Sequence, residues 1–177
     1  MTQPTIREVR ASDRDELIRT MLALQRHGES SNPNIWHITE NGKKGLDARV
    51  DEMLLDEDGL ALVAEEDGKP IGFAWGQVVH RTDYAPNIVG FIRVIYLKEA
   101  HRRKGTGTKL VQELCRYFLT RDVEEVNLNY ILGNREAEGF WKELGFVPVR
   151  ASANTTLKDL EELLRERSAR LEAKKPI

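Results

Sequence analysis

Residues 88–110, IVGFIRVIYLKEAHRRKGTGTKL, constrain this chain more than any other stretch. Ile88 to Leu97 is a nearly continuous apolar run, which predicts a central strand buried on both faces. Arg102, Arg103 and Lys104 follow, then Gly105 and Gly107. Gly107, Leu110, Val111, Leu114 and Phe118 recur at helical spacing. A strand, a basic glycine turn and a helix start in direct succession make a ready anion site. The first-turn N–H groups have no intrahelical partner, and the helix dipole favours negative charge there. Glycine has no Cβ, so a phosphate can approach the backbone closely. A pyrophosphate meets all of these demands. A Rossmann fingerprint would need a glycine where Leu110 stands, and the Walker A spacing is absent, so neither nucleotide motif fits. The plainer alternative is a basic turn that only starts a helix.

The surrounding pattern is one of strands and helices in mixed order. TIREVR reads as a short strand, and Ser12 as a candidate N-cap for a helix carrying Leu17, Ile18, Met21 and Leu22. HGESSNPNIWHITENGKKG, rich in Gly, Asn and Pro, reads as a long loop or broken helix turns, and long loops in compact domains often carry function. LDARVDEMLL predicts a second helix. LALVAEEDGKPIGFAWGQVV predicts a hairpin turning at Asp67-Gly68. After the glycine turn and its helix come a strand, EEVNLNYIL, and a short helix, NREAEGFWKELGF, closed by Gly145. FVPVR reads as a final strand, and a charged helix follows from Thr156. The order is β-α-α-β-β-β-α-β-α-β-α. Strand-helix-strand units imply some parallel pairing and the hairpin is antiparallel, so the sheet is mixed.

Composition bounds the partners. The 177 residues suit a single domain, 1–177, with a core over about 4–150 and a C-terminal helix over 155–175. The net charge is -2, which offers no basic surface for nucleic acid or membrane. One cysteine, Cys115, excludes a disulfide framework and a cysteine zinc cluster. The four histidines show no metal-ligand spacing. With no apolar signal core and no bilayer-length apolar run, a cytoplasmic location is the default expectation.

With those residues in view, the sequence resembles the GCN5-related N-acetyltransferase (GNAT) family of acetyl-CoA-dependent acyltransferases. Arg102, Gly105 and Gly107 fit that family's (Gln/Arg)-x-x-Gly-x-(Gly/Ala) motif between the fourth strand and the following helix. NREAEGFWKELGF is similar to its Asn-x-x-Ala-x-x-hydrophobic-Tyr-x-x-Leu-Gly-Phe segment, and LVAEEDGKPIGFAWG to the hairpin before the motif. The likeness spans about residues 4–150. It implies an α/β (α+β) fold: a mixed, mostly antiparallel central sheet flanked by helices, splayed between strands 4 and 5, with a C-terminal helix here.

The resemblance also implies site roles. Ile95, Tyr96 and Leu97 would pair with the pantetheine arm of acetyl-CoA like an added strand. The amides from Arg103 through Lys104, Gly105, Thr106 and Gly107 to Thr108 would hold the pyrophosphate, with Arg102 beside them. Asn134 and Ala137 would lie near the pantetheine and sulfur. The implied reaction is direct acyl transfer to a primary amine of a small molecule or protein, through an oxyanion stabilised by the Leu97 N–H. The family's thiolate-protonating tyrosine aligns with Trp141, whose indole donates a hydrogen bond but is not a useful acid. Protonation would then come from water, Tyr130 or Tyr96, with Trp141 as cleft wall, core aromatic or both.

No acid stands in GFIRVIYL, so the base is open among Glu29, His37, His80, Asp83 and a water relay. Glu29, Trp36, Asp83 and Tyr84 are candidate contacts for a cationic acceptor. The resemblance allows a homodimer. Cys115 reads as a small buried hydrophobe, His101 as a loop residue near phosphate, and the C-terminal charged helix as amphipathic and solvated. Two other functions compete: a degenerate acyl-CoA-binding sensor, suggested by Trp141, and an ATP phosphotransferase, disfavoured by the missing Walker spacing.

Overall fold

The structure is a computed structural model and describes residues 3–172. It divides into two compact units, the described residues up to Glu138 and those from Gly139 onward. The first unit holds five strands in the order β1-β2-β3-β4-β5: Thr5–Glu8, Gly59–Glu66, Lys69–His80, Ile88–Leu97 and Glu125–Leu128. The first four form an antiparallel meander, and β5 pairs parallel to β4. This is the mixed, mostly antiparallel sheet that the sequence predicts. Asp67 and Gly68 both take positive φ, 50° and 72°, as the two central residues of a type I′ hairpin turn must.

Helices cover both faces. α1 (Arg14–Ser31), a short α2 (Glu40–Lys44) and α3 (Leu46–Leu55) lie between β1 and β2. Leu17 of α1, Val50 and Met53 of α3 and Phe73 of β3 form one buried cluster, with Trp75, Val94 and Tyr96 packed against it. α4 (Thr106–Leu119) makes the crossover from β4 to β5 and covers the other face through Leu110, Leu114 and Phe118. Gly76 and Gly90 lie under Phe118: a Cβ on either would sit 2.8 Å from its ring.

Several local expectations need correcting. Ser12 is exposed and caps nothing; a 3-10 turn, Ala11–Asp13, comes first and α1 opens after Asp13. The reason is Asp13, a buried carboxylate that accepts from the Arg10 N–H at 2.8 Å and from both Arg7 guanidinium NH groups at 2.7 and 3.0 Å. HGESS is the last turn of α1 rather than loop, ended where Ser30 and Ser31 both donate to the His27 carbonyl. Within the remaining loop, the Thr39 hydroxyl accepts from Gly42 N–H and starts α2. FVPVR is not a strand. Pro148 can donate no ladder hydrogen bond, and Val147 and Val149 are exposed. β4 is buried on both faces only in its first half; from Arg93 its residues are partly or fully exposed.

In the second unit, α5 (Arg135–Glu143), which begins in the first unit, ends in a Schellman motif. Phe146 N–H bonds Trp141 C=O and Gly145 N–H bonds Lys142 C=O, both at 3.0 Å, with Gly145 at φ 85°. The accompanying apolar contact is Trp141 against Phe146, edge to face at 5.2 Å. α6 (Leu157–Glu172) is capped by the Thr156 hydroxyl, which accepts from Asp159 N–H. Its residues through Leu171 are exposed; residues 173–175 of the predicted C-terminal helix lie outside the described residues. No described helix is long and apolar enough to cross a membrane.

Candidate functional site

The site begins where β5 stops. Pairing of β4 with β5 covers only Val89–Ile92 against Glu125–Leu128. From Arg93 to Leu97, β4 keeps β3 on one side and, among the described residues, has no strand on the other. A register shift between Trp75 and Gly76, which face Val94 and Ile92, leaves Arg93 as the extra residue of a bulge at this point.

The register says which groups face the open edge. Lys98 N–H bonds Ile71 C=O at 2.8 Å. Antiparallel pairs alternate between bonded and non-bonded, so Phe73–Tyr96 is a bonded pair while Gly72–Leu97 and Ala74–Ile95 are not. The backbone groups of Ile95 and Leu97 therefore point away from β3 to the open edge, and those of Tyr96 do not. Of the three residues expected to pair with an added strand, two are placed to do so. Tyr96 instead contributes its side chain, packed on the core cluster with the Arg102 guanidinium 5.8 Å from its ring centre.

After β4 a 3-10 turn, Glu99–His101, leads into the glycine segment. Gly105 sits at φ 81° as the N-terminal cap of α4, and a Cβ there would meet no atom within 4 Å. Its left-handed backbone followed by helical Thr106 turns successive amides to one side, a concavity suited to anions. Thr106 is buried; Gly107 and Thr108 complete the first turn, and Lys104 is exposed. Arg103 also has positive φ, 58°, strain of a kind that collects at functional turns. Arg102 donates from Nε to the Leu97 carbonyl at 3.0 Å and pairs with Glu136 at 2.8 Å. Arg103 reaches the same carboxylate at 3.4 Å. His101 lies against Glu66, 3.2 Å from its carboxylate. The open edge, the amide concavity and two arginines are thus contiguous, and a diphosphate on an extended arm fits them.

Glu136 had no distinguishing signal beyond being an acid in a first helical turn, yet it clamps both arginines. Asn134 is the N-cap of α5: its Oδ1 accepts from Ala137 N–H at 3.1 Å and its carbonyl from Glu138 N–H at 2.9 Å. Tyr130 lies two residues beyond the last paired residue of β5, where continued register would set it opposite Val94 across the opening. Trp141, in the second unit, is 4% exposed and stacks edge-on with Phe140 and Phe146; that environment supports its reading as a core aromatic.

The acceptor-side residues separate into two groups. The end of α1 is tied to the segment after β5, since Asn32 donates to Leu132 C=O and Gly28 gives way to Ile131. Glu29 belongs here. It accepts from Gln25, from Ile38 N–H at 2.8 Å and from His37, bonds that hold its carboxyl down to about 2. So low a value makes it a loop anchor and a poor base near neutrality. The Glu29→Gln variant is expected to keep the acid limb of any pH–rate profile between pH 5 and 9 where the wild type has it; a limb that vanishes would make Glu29 the base. Trp36 is exposed and its carbonyl accepts from Gln25. Asp83, Tyr84 and His80 lie elsewhere, at the β3–β4 turn. Nine residue steps separate Ile88 from Leu97, roughly 30 Å of strand, so these three stand at the opposite end of β4 from the glycine turn. Cys115 is partly buried, and burial pushes its thiol up, away from nucleophilic use.

Comparison with known proteins agrees with this geometry. The sequence profile of the acetyltransferase (GNAT) family matches residues 22–146. An uncharacterized N-acetyltransferase of Methanocaldococcus jannaschii is 33% identical over 94 residues, 53% of this chain and 41% of that protein. The chain therefore spans about two fifths of the length of the curated relative it matches. Among solved structures, a tetramutant of the BH1408 protein from Bacillus halodurans superposes with a TM-score of 0.74 at 20% identity, covering 86% of this chain and 99% of that one. The aminoglycoside N-acetyltransferase AAC(6')-Iy in complex with CoA gives 0.66 at 18% identity over 88% and 95%. A ribosomal-protein-alanine N-acetyltransferase from Brucella melitensis gives 0.62 at 18% over 88% and 100%. At these identities the structures speak to the fold, and the profile match speaks to descent. The chain belongs to the acetyltransferase (GNAT) family.

Proposed function

We propose that this protein is an acetyl-CoA-dependent N-acetyltransferase that acetylates a primary amine of a small molecule or protein. The observation that carries this is the continuity between the open edge of β4 at Ile95 and Leu97 and the amide concavity at Gly105. When bound, acetyl-CoA supplies an acetyl thioester: a C–N bond forms to the amine as the C–S bond breaks, and the proton lost by the amine balances the one the sulfur gains. The residues of this chain position the partners. Ile95 and Leu97 align the arm through the N–H groups they turn to the open edge, and the Ile95 N–H, nearer the closed end of the opening, is the donor for the carbonyl oxygen where negative charge develops. The first turn of α4 with Arg102 and Arg103 fixes the diphosphate. Holding the two reactants together supplies much of the rate, so no protein nucleophile is required. Tyr130, whose backbone continues β5 opposite Val94, is our candidate for moving a proton at the opening.

A CoA-binding sensor without turnover is the second reading. Its support is Trp141, buried among aromatics at the position of the family's tyrosine. Thiol release from acetyl-CoA over a panel of amines separates the two. Release with at least one acceptor supports the transferase. CoA binding in calorimetry without release on any acceptor supports the sensor. Binding of ATP in preference to CoA would overturn both.

A further inference from the structure

Arg93 is a side chain that neither the cofactor contacts nor the core explains. As the bulge residue it is the first residue of β4 beyond its pairing with β5. It is exposed, and its guanidinium lies back along the strand, 4.3 Å from the centre of the Phe91 ring. Nε and one NH group donate to the Gln77 Oε1 at 3.0 and 2.7 Å. Gln77 is itself held, since its Nε2 donates to Asp56 Oδ2 at 3.0 Å. That bond fixes the amide with its carbonyl oxygen toward Arg93. The cation is thus locked in place by a neutral partner. Among the described residues no carboxylate pairs with it, whereas Arg81, Arg102, Arg103 and Arg121 each pair with one.

We infer that Arg93 binds an oxyanion on the acceptor, so that the preferred substrate is an amine carrying a carboxylate or phosphate a few bonds from its nitrogen. This rests on the acetyltransferase reading above for the direction of the cofactor arm. An arm running from the α4 amides back along Leu97 and Ile95 delivers its reactive end toward the point where the opening closes, at Ile92 and Leu128. An amine meeting it there stands beside the backbone of Arg93. The guanidinium lies over Phe91, two residues back along the strand or roughly 7 Å. Gln77 takes Nε and one N–H, and the exposed fork keeps N–H groups to spare, which suits a bidentate carboxylate or phosphate. The same fixed positive charge repels a polycation, so it argues against a polyamine acceptor.

The test uses matched acceptors of one chain length: an ω-amino acid, its carboxamide, the aminoalkyl phosphate and the diamine. Thiol release should favour the acid or the phosphate over the diamine by at least about tenfold in kcat/KM, and the better of the two identifies the oxyanion. Arg93→Gln should lower that anion's kcat/KM by about 10–100-fold, the range for losing a charged hydrogen bond, and leave the carboxamide nearly unchanged. Its CoA affinity by calorimetry should equal that of the wild type. Titration of the ω-amino acid and the aminoalkyl phosphate into the CoA-saturated protein gives a second readout independent of turnover. Binding lost in Arg93→Gln upholds the site even if no acceptor is acetylated, in which case the transferase reading alone fails. A diamine that matches the anions, an equal loss for every acceptor, or no anion binding to the wild type overturns the inference.

Discussion

Replacing Gly105 with valine is expected to raise the dissociation constant for CoA by about 100-fold, about 2.7 kcal/mol, while lowering the melting temperature of the free protein by only a few degrees. Two effects act at one atom. Gly105 holds φ 81°, a conformation that costs a residue with a Cβ roughly 1–2 kcal/mol. For a chain of this size each kcal/mol moves the melting temperature by about 2–4 °C. The larger effect falls on the ligand. A Cβ at Gly105 would meet no atom within 4 Å, so the protein can accommodate it. The branched methyls instead occupy the space a phosphate needs to reach the amides. Gly105→Ala, with the same strain and less bulk, should fall between. Calorimetric titration with CoA beside a thermal melt separates the two effects, and an unchanged CoA affinity in Gly105→Val would place the diphosphate elsewhere.

That turn was legible in the sequence because its determinants are local. A basic run, a glycine that must take positive φ and a helical apolar pattern all fall within a few residues. The hairpin at Asp67-Gly68 and the close of α5 at Gly145 were legible for the same reason: each is a backbone conformation tied to one residue type. The cap at Asn134 follows the same logic. The features that went unread are set by partners distant in sequence. Asp13 displaces Ser12 at the start of α1 because Arg7, held in place by Glu65 of β2, supplies its counter-charge. HGESS stays helical where Gly28 packs against Ile131. FVPVR has an apolar strand's composition, but Pro148 interrupts it and offers no ladder donor.

The site divides along the same line. Its glycine turn could be read from residues in series, but its open edge depends on β5 ending its pairing at Leu128, a fact of register. Tyr96 and Ile95 look alike in sequence; only alternation against Phe73 sends one backbone inward and the other out. Asp83 and Tyr84, chosen for acceptor chemistry, sit at the β3–β4 turn, at the end of β4 opposite the glycine turn. The clamp at Glu136 and the locked cation at Arg93 needed the folded chain to bring carboxylate, amide and guanidinium together.

Phe118→Ala is expected to be the most destabilising single change predicted here, at about 3–5 kcal/mol and on the order of 10 °C in melting temperature for a chain of this size. Phe118 is 2% exposed and among the largest fully buried side chains. Its ring is seated by two glycines, Gly76 on β3 and Gly90 on β4, each of which would place a Cβ 2.8 Å from it. The sheet has given up side chains at both positions, so nothing can collapse into the space the ring leaves, and the cost should sit near the upper end of that range. The reverse change carries the same information: Gly90→Ala drives a methyl into the ring and should cost about 1–3 kcal/mol by overpacking. Combining the two lets the new methyl fill part of the void, so the double variant should be more stable than the sum of the single losses predicts, as contacting residues allow. Chemical denaturation of the four proteins measures this coupling. Strict additivity would mean that Phe118 does not rest on Gly90, and that α4, which follows the glycine turn, is held to the sheet by other contacts.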